Sequence, residues 1–205
     1  MMFDADDKVV MQFSGGKDAL ACLYLLREHW GRLIVMWCDT GDALPETHQQ
    51  MEDISKLVHA FMTVKGDQPA QIALNGPPAD VVGEWQTPMG RSMRQRQTMP
   101  AVQAPFDCCA DNIWRPLDRA CKSLGATVIV RGQRNDEATK GVIHSGYIQD
   151  GVKYLFPLED WTEGQVKGYL QSLGVPLPAN YVYFNSSLDC GHCTAFLSEN
   201  PGRMK

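Results

Sequence analysis

Between Lys8 and Val64, short apolar runs alternate with stretches of helical periodicity, and this alternation constrains the fold more than any other feature of the chain. Lys8–Phe13 reads as a buried strand, with Val9, Val10, Met11 and Phe13 in one short run. Ser14-Gly15-Gly16 breaks it. A helix follows from about Asp18 to Trp30, with Leu20, Leu23, Tyr24 and Arg27 at helical spacing, and Gly31 stops it. Arg32–Trp37 is a second apolar strand ending at Cys38-Asp39-Thr40-Gly41, Pro45 to about His59 reads as helix, and Phe61–Val64 is a short third strand. A β-α-β-α-β order predicts a doubly wound α/β fold, with a mostly parallel sheet and helices on both faces. Ligands of such sheets sit beyond the carboxyl ends of the strands. Ser14–Asp18 and Cys38–Asp42 both fall there.

From residue 66 to 107 the pattern changes. Pro69, Pro77, Pro78, Pro88, Pro100 and Pro105 interrupt any long element, which predicts an irregular insertion, a candidate lid, carrying the basic run Arg91-Ser92-Met93-Arg94-Gln95-Arg96. Regular structure resumes with a helix over about Asn112–Leu124 and the strand Thr127–Arg131. Tyr147–Pro157 reads as a hairpin or an edge strand. Thr162-Glu163-Gly164-Gln165 fits a capping box that opens a helix to about Leu173. The last stretch is loop-like and holds Cys190-Gly191-His192-Cys193. The 205 residues are read as a single domain, with the insertion at about 66–107 and a cysteine-bearing segment at about 185–197.

Three short motifs carry the chemistry. Ser14-Gly15-Gly16-Lys17-Asp18 joins a strand to a helix. Its glycines allow a tight turn and close backbone approach, the helix amides favour a phosphate, and Lys17 adds positive charge. It is not the Walker pattern, whose glycines are spaced more widely before the lysine. The second motif is a set of four cysteines: the adjacent Cys108 and Cys109, and Cys190 with Cys193. Adjacent thiolates reach a single zinc ion only with strain, whereas an iron–sulfur cube offers each its own corner. A [4Fe–4S] cluster is therefore expected, with structural zinc as the alternative. Cys22, Cys38 and Cys121 fit element interiors. The third motif, Arg131-Gly132-Gln133-Arg134-Asn135-Asp136, follows a strand, and arginines there can grip phosphate or sulfate in a bidentate fork.

Composition narrows the classes. A net charge of −5 argues against a general nucleic-acid binder, so a nucleic-acid acceptor is not indicated. The start MMFDADDKVVMQF is acidic, without the long apolar run of a signal peptide, and no apolar stretch approaches the roughly 20 residues of a membrane helix. A cytoplasmic, membrane-free protein is expected, and close-set cysteines in a reducing cytosol point to metal or redox chemistry.

Taken together the motifs resemble the phosphoadenylyl-sulfate reductase family, of the adenine nucleotide α-hydrolase-like PP-loop group. Ser14–Asp18 is similar to the PP-loop, Asp39-Thr40-Gly41 with Pro45-Glu46-Thr47 to the family's DTG…PET segment, and Gly132, Arg134 and Asp136 to its G-x-R-x-D segment. Asp160-Trp161-Thr162 matches a late helix start, and Pro116-Leu117 stands at the family's distance after the double cysteine. The four cysteines resemble the cluster motif of the adenylyl-sulfate branch. The resemblance covers roughly residues 8–196. It implies an adenosine nucleotide (ATP, adenylyl sulfate or phosphoadenylyl sulfate) held by Ser14, Gly15, Gly16, Lys17, Asp18, Asp39, Thr40, Gly41, Arg131, Gly132 and Arg134, with Lys17, Asp39 and Arg134 as candidate catalytic residues. It also implies a [4Fe–4S] cluster on Cys108, Cys109, Cys190 and Cys193, and an electron- or sulfur-donor protein as partner.

The departures from the family pattern shape the expected function. Family reductases place a nucleophilic cysteine in a C-terminal Glu-Cys-Gly tail, whereas this chain runs Asn200-Pro201-Gly202-Arg203-Met204-Lys205 with no cysteine after Cys193. Asn112 and Ile113 replace a basic pair, Asn135 replaces a second arginine, and Ala19 removes one hydroxyl from the loop. The main expectation is thus an ATP-using sulfur-transfer or adenylating enzyme. A sulfonucleotide reductase, its thiol supplied by Cys38, a partner or a longer chain, is the alternative, and a non-catalytic nucleotide or redox sensor is the third reading.

Overall fold

The computed structural model describes residues 3–80, 88–93, 102–137, 143–182 and 189–196. Its frame is a six-stranded sheet of β1 (Val9–Gln12), β2 (Leu33–Asp39), β3 (Ala60–Lys65), β4 (Val128–Val130), β5 (Ile148–Gln149) and β6 (Val152–Leu155). The strand order is β3-β2-β1-β4-β6-β5, parallel throughout except for the antiparallel β5–β6 pair. The helices are α1 (Lys17–Leu25), α2 (Pro45–Leu57), α3 (Gln68–Asn75), α4 (Pro88–Met93), α5 (Pro105–Cys109), α6 (Arg115–Leu124) and α7 (Glu163–Ser172).

Side-chain alternation along the strands builds two cores. Val9, Met11, Leu33, Val35, Val128 and Val130 face one side, where Leu20 and Leu23 of α1, Met51 and Ile54 of α2, and Val166 and Leu170 of α7 cover them. Val10, Met36, Cys38 and Ile129 face the other, against Leu117 and Cys121 of α6. Both faces being covered explains why the parallel strands are continuous apolar runs rather than alternating ones. This is the doubly wound architecture that the strand–helix alternation predicts. Because β1 sits between β2 and β4, the chain winds outward in both directions from it, and the crevice beyond β1 and β4 is the topological switch point where such sheets bind ligands.

Local chemistry sets the remaining elements. Asp150 and Gly151, both at positive φ, form the two-residue turn of the β5–β6 hairpin. Thr162 caps α7 in a complete capping box with Gln165. Gly125, in the left-handed conformation, ends α6.

Two sequence expectations need correction. The stretch 66–107 is not uniformly irregular, since α3, α4 and the start of α5 lie within it. Pro69 and Pro105 stand in the first turns of their helices, where a missing N–H costs nothing, so these prolines start helices rather than break them. The helix expected from Asn112 instead begins at Pro105 and runs through a π-helical turn, Ala110–Trp114, into α6. Of the basic run, Arg94, Gln95 and Arg96 lie outside the described residues, as does most of the cysteine-bearing segment before Asp189. Among the described residues, no helix is long and apolar enough to cross a membrane.

Candidate functional site

The turn after β1 is shaped by backbone crowding. Gly15 has φ +81°, and a Cβ there would lie 2.7 Å from Met51 Cε and 3.0 Å from Gln50 Oε1. Gln50 Nε2 donates to the Gly15 carbonyl at 3.0 Å, which fixes the turn against α2. Gly16 precedes α1 in extended conformation and, having no side chain, brings no cap of its own. The first-turn amides that follow Lys17 keep their affinity for an anion. The Lys17 amide reaches Tyr181 Oη at 3.1 Å, and Gly16 N lies 3.4 Å from Ser14 Oγ. Burial pushes the Tyr181 hydroxyl up to about 12, so it stays protonated.

The charges beside this turn are held in a chain. Lys17 is only 6% exposed. Its ammonium lies 3.1 Å from Asp18, 3.9 Å from Glu163, and over the Tyr181 ring. Asp18 Oδ1 takes the Arg134 guanidinium at 2.6 Å, and Arg134, 4% exposed, also pairs with Asp136. The loop after β4 reaches α1 because residue 132 is glycine: a Cβ there would lie 2.6–2.8 Å from Asp18 O, Asp18 C and Ala19 N. Lys17, Asp18, Gly132 and Arg134 therefore gather at the switch point. Arg131 does not join them. It turns to the opposite face, donating from Nε to Gln12 Oε1 at 2.7 Å and lying over the Tyr154 ring.

The second half of the site lies beyond β2. Gly41 has φ +81° and donates to Asp39 Oδ1 at 3.0 Å, while Lys65 Nζ holds Asp39 Oδ2 at 2.5 Å. Burial works to raise the Asp39 carboxyl, but Lys65 and the Gly41 amide outweigh it and hold the group below its usual range. The Asp39-Thr40-Gly41-Asp42 turn clasps the CxxC loop. Thr40 Oγ1 donates to the Asp189 carbonyl at 2.8 Å, Gly191 N donates to the Asp42 carbonyl at 2.6 Å, and His192 meets the Asp42 carboxylate through both its amide and Nδ1. The Asp42 carboxylate beside it raises the His192 imidazole above its ordinary value.

The clasp brings Cys190 and Cys193 to the recess that Cys108 and Cys109 line from α5, together with Gln68, Pro78, Pro105, Asn112 and Ile113. Burial raises the Cys108 and Cys190 thiols, with neighbouring cysteines and acids adding to the rise. Among the described residues, no three His, Cys, Asp or Glu side chains already stand as a metal-ligand cluster. Cys38 is not in the recess. It is 5% exposed, donates to the Asn112 carbonyl at 3.1 Å in the second core, and burial pushes its thiol up to about 12. The expectation that Cys38 supplies a reactive thiol is overturned, because a buried protonated thiol cannot meet substrate.

Several contributors had no signal in the sequence. Tyr181, Gln50 and Gln68 belong to no motif and are recruited from elements distant in the chain. His192 stood inside the CxxC spacing without an assignable partner until Asp42 came within reach.

The family profile described as "Phosphoadenosine phosphosulfate reductase domain" matches residues 8–196. The chain is 32% identical over 97 residues to the adenosine 5'-phosphosulfate reductase of Burkholderia cepacia, covering 46% of this chain and 38% of that protein. It is 23% identical over 171 residues to the phosphoadenosine 5'-phosphosulfate reductase of Proteus mirabilis, covering 83% of this chain and 64% of that one. The chain thus spans less than two thirds of these curated relatives. In fold it is similar to phosphoadenylyl-sulfate reductase from Candida auris, solved as a phosphate complex (TM-score 0.59, 16% identity, 87% of this chain and 78% of that one). It is also similar to yeast FAD synthetase in complex with FAD (TM-score 0.51, 12% identity, 88% and 55%).

Proposed function

The chain belongs to the phosphoadenosine phosphosulfate reductase domain family, and from that premise we propose that it binds an adenosine sulfonucleotide and presents its sulfate for reduction to sulfite by thiols. The observation that carries this reading is the position of two half-sites on neighbouring parallel strands. The first-turn amides of α1 and Lys17 lie beyond β1, and the Asp39–Asp42 turn with its clasped CxxC loop lies beyond β2. Strands about 4.8 Å apart put the two within the length of one nucleotide.

In this reading the glycine turn, Lys17 and Arg134 hold the phosphate and sulfate oxygens and stabilise charge as it develops on the leaving phosphate. A thiolate attacks the sulfate sulfur, the sulfur–oxygen bond to the nucleotide breaks, and the nucleoside phosphate leaves with the electron pair. A second thiolate then attacks the sulfur of the first. Sulfite leaves, and the two thiols end as a disulfide, so sulfur gains the two electrons that the thiols lose. Cys22, Cys38 and Cys121 are buried in the cores, and the other four cysteines line the recess. Among the described residues no cysteine is thus placed to attack, and the reading takes a thiol donor of the thioredoxin type as the partner.

The recess fits the expected [4Fe–4S] group by its donor chemistry. It offers four thiols, no carboxylate or imidazole wall, and a buried amide nitrogen without a partner. When bound, such a cluster supplies a local charge centre and order to the CxxC loop. ATP is the competing ligand, favoured by the same α1 terminus, which would cradle a pyrophosphate. The test is direct. Adenylyl sulfate, phosphoadenylyl sulfate and ATP are each incubated with the chain and a dithiol donor, and sulfite and pyrophosphate are measured. Sulfite from a sulfonucleotide, lost in Lys17→Met, supports the reading. Pyrophosphate from ATP with no sulfite from either sulfonucleotide replaces it with the sulfur-transfer reading.

A further inference from the structure

Gln68 opens α3 with a side chain only 2% exposed. Among the described residues its Nε2 is the one buried side-chain nitrogen or oxygen without a hydrogen-bond partner. It lines the recess of the four cysteines. An unsatisfied buried amide is costly, so the position calls for an acceptor that the described residues do not provide.

The side chain has no loose backbone on which to drift. Gln68 N donates to the Thr40 carbonyl at 2.8 Å, within the turn that clasps the CxxC loop. Asp67 N donates to Asn112 Oδ1 at 3.0 Å, and Asp67 caps α3 by accepting from Ala70 N at 3.1 Å. Asn112 in turn donates from Nδ2 to the Cys108 carbonyl at 3.0 Å and lies 3.7 Å from Cys108 Sγ. The Gln68 amide is thus pinned between the two cysteine-bearing segments. The other recess walls, Pro78, Pro105 and Ile113, bring no side-chain donor. Thiols that ligate iron are thiolates, which accept hydrogen bonds and cannot donate them. A ligated recess therefore supplies the acceptor that Nε2 lacks.

We propose that Gln68 is a positioning residue for the iron–sulfur group: its Nε2–H donates to a sulfur of the cluster, and together with Asn112 it surrounds the sulfurs with neutral amide donors. The inference rests on the cluster reading above. Hydrogen bonds from outside the ligand set orient the ligands and commonly change metal affinity by about 10–100-fold.

The experiment compares the full chain with Gln68→Leu and Gln68→Glu, each reconstituted anaerobically with iron and sulfide. It reads iron and sulfide content, Fe–S stretching bands in H2O and D2O, the rate of iron loss to a chelator, and apo-protein melting. In wild type, deuteration shifts an Fe–S band. Gln68→Leu loads the same iron and sulfide but shows a smaller shift, Asn112 remaining, and releases iron about tenfold faster. Its apo form melts at or above the wild-type temperature, because an apolar side chain replaces an unsatisfied donor. Gln68→Glu, which sets a carboxylate against anionic sulfurs, loads less. Wild-type bands and wild-type release in Gln68→Leu overturn the inference while leaving the cluster standing. An apo Gln68→Leu that melts well below wild type also overturns it, since a purely structural role then accounts for the residue. A wild-type chain that takes up zinc, or nothing, in place of iron and sulfide removes the cluster reading itself.

Discussion

Replacing Gly132 with alanine tests whether the loop after β4 is held against α1 by close backbone approach. The added Cβ would meet three backbone atoms, Asp18 O, Asp18 C and Ala19 N, at 2.6–2.8 Å. No flexible side chain stands there to swing aside, so the β4 loop and the start of α1 must separate. Overpacking of this kind costs about 3 kcal/mol at the upper end of its usual range. Gly132 is not among the positive-φ glycines, so alanine adds no conformational strain. Alanine also restricts the unfolded chain, which returns about 0.7 kcal/mol. The net loss is about 2 kcal/mol, a fall in Tm of about 4–8 °C for a chain of this size. Gly168→Ala is the matched control. It lies within α7 with nothing within 4 Å of a Cβ. It should gain about 0.8–1 kcal/mol from helix propensity alone. Thermal unfolding followed by circular dichroism reads both. A Gly132→Ala protein melting within about 1 °C of wild type, beside a Gly168→Ala protein that gains its rise, would refute the close-approach argument.

Asn112→Ala leaves the Asp67 amide and the Cys108 carbonyl without their side-chain partner, and denaturant titration should show a loss of roughly 2–4 kcal/mol. Lys65→Met removes the cation that holds the Asp39 carboxyl low. Lys65 is largely exposed, so screening limits the loss to about 1–2 kcal/mol. The sign follows from a folded-state pKa below the unfolded one: the stabilisation is present above the ordinary carboxylate range and is lost as pH falls through the folded value. Melting curves should therefore separate wild type from Lys65→Met most at pH near 7 and converge in strong acid. Thr162→Ala removes the capping box of α7 and should cost about 1 kcal/mol by the same melting assay.

The sequence displayed whatever depends on local pattern. The apolar runs of β1 and β2, the glycine turn between β1 and α1, the capping box at Thr162 and the Asp150-Gly151 hairpin are each dictated by residues close together in the chain. What it hid came from context. Pro69 and Pro105 looked like breakers, but a proline is harmless in a first helical turn, and only the neighbouring caps reveal which turn it occupies. Arg131 and Arg134 look alike in sequence. A strand sends alternate residues to opposite faces, and the loop after β4 then returns Arg134 to α1 while Arg131 stays with Gln12 and Tyr154. Cys38 carried the position of a strand-end nucleophile, yet its side chain falls on the face covered by α6, where burial keeps it protonated.

The two half-sites are secured by different physics, and this bears on how they respond to ligand. Beyond β1 the geometry is set by backbone crowding at Gly15 and Gly132 and by buried ion pairs, interactions present before any nucleotide arrives. Beyond β2 the CxxC loop is held by hydrogen bonds to Thr40 and Asp42 on one side and to the Pro78 carbonyl and the Asp80 carboxylate on the other, while its facing wall holds an amide that finds no acceptor among the described residues. A preformed half and an incompletely satisfied half predict distinct thermodynamics. Nucleotide should bind to the first half with little change in the protein. Filling the recess should order the second half and raise its protection from exchange. The Thr40 carbonyl, which accepts from Gln68 N, and the Thr40 hydroxyl, which donates to Asp189, join the recess wall to the loop. On the proposed reading, the Asp39–Asp42 turn is the part of the nucleotide site that filling the recess would order. Hydrogen exchange at the amides of Thr40, Gly41 and Gly191 should slow when iron and sulfide are loaded, and should change little when nucleotide alone is added. Slowing by nucleotide alone to the same extent would mean that the two halves are one rigid site and that this division is wrong.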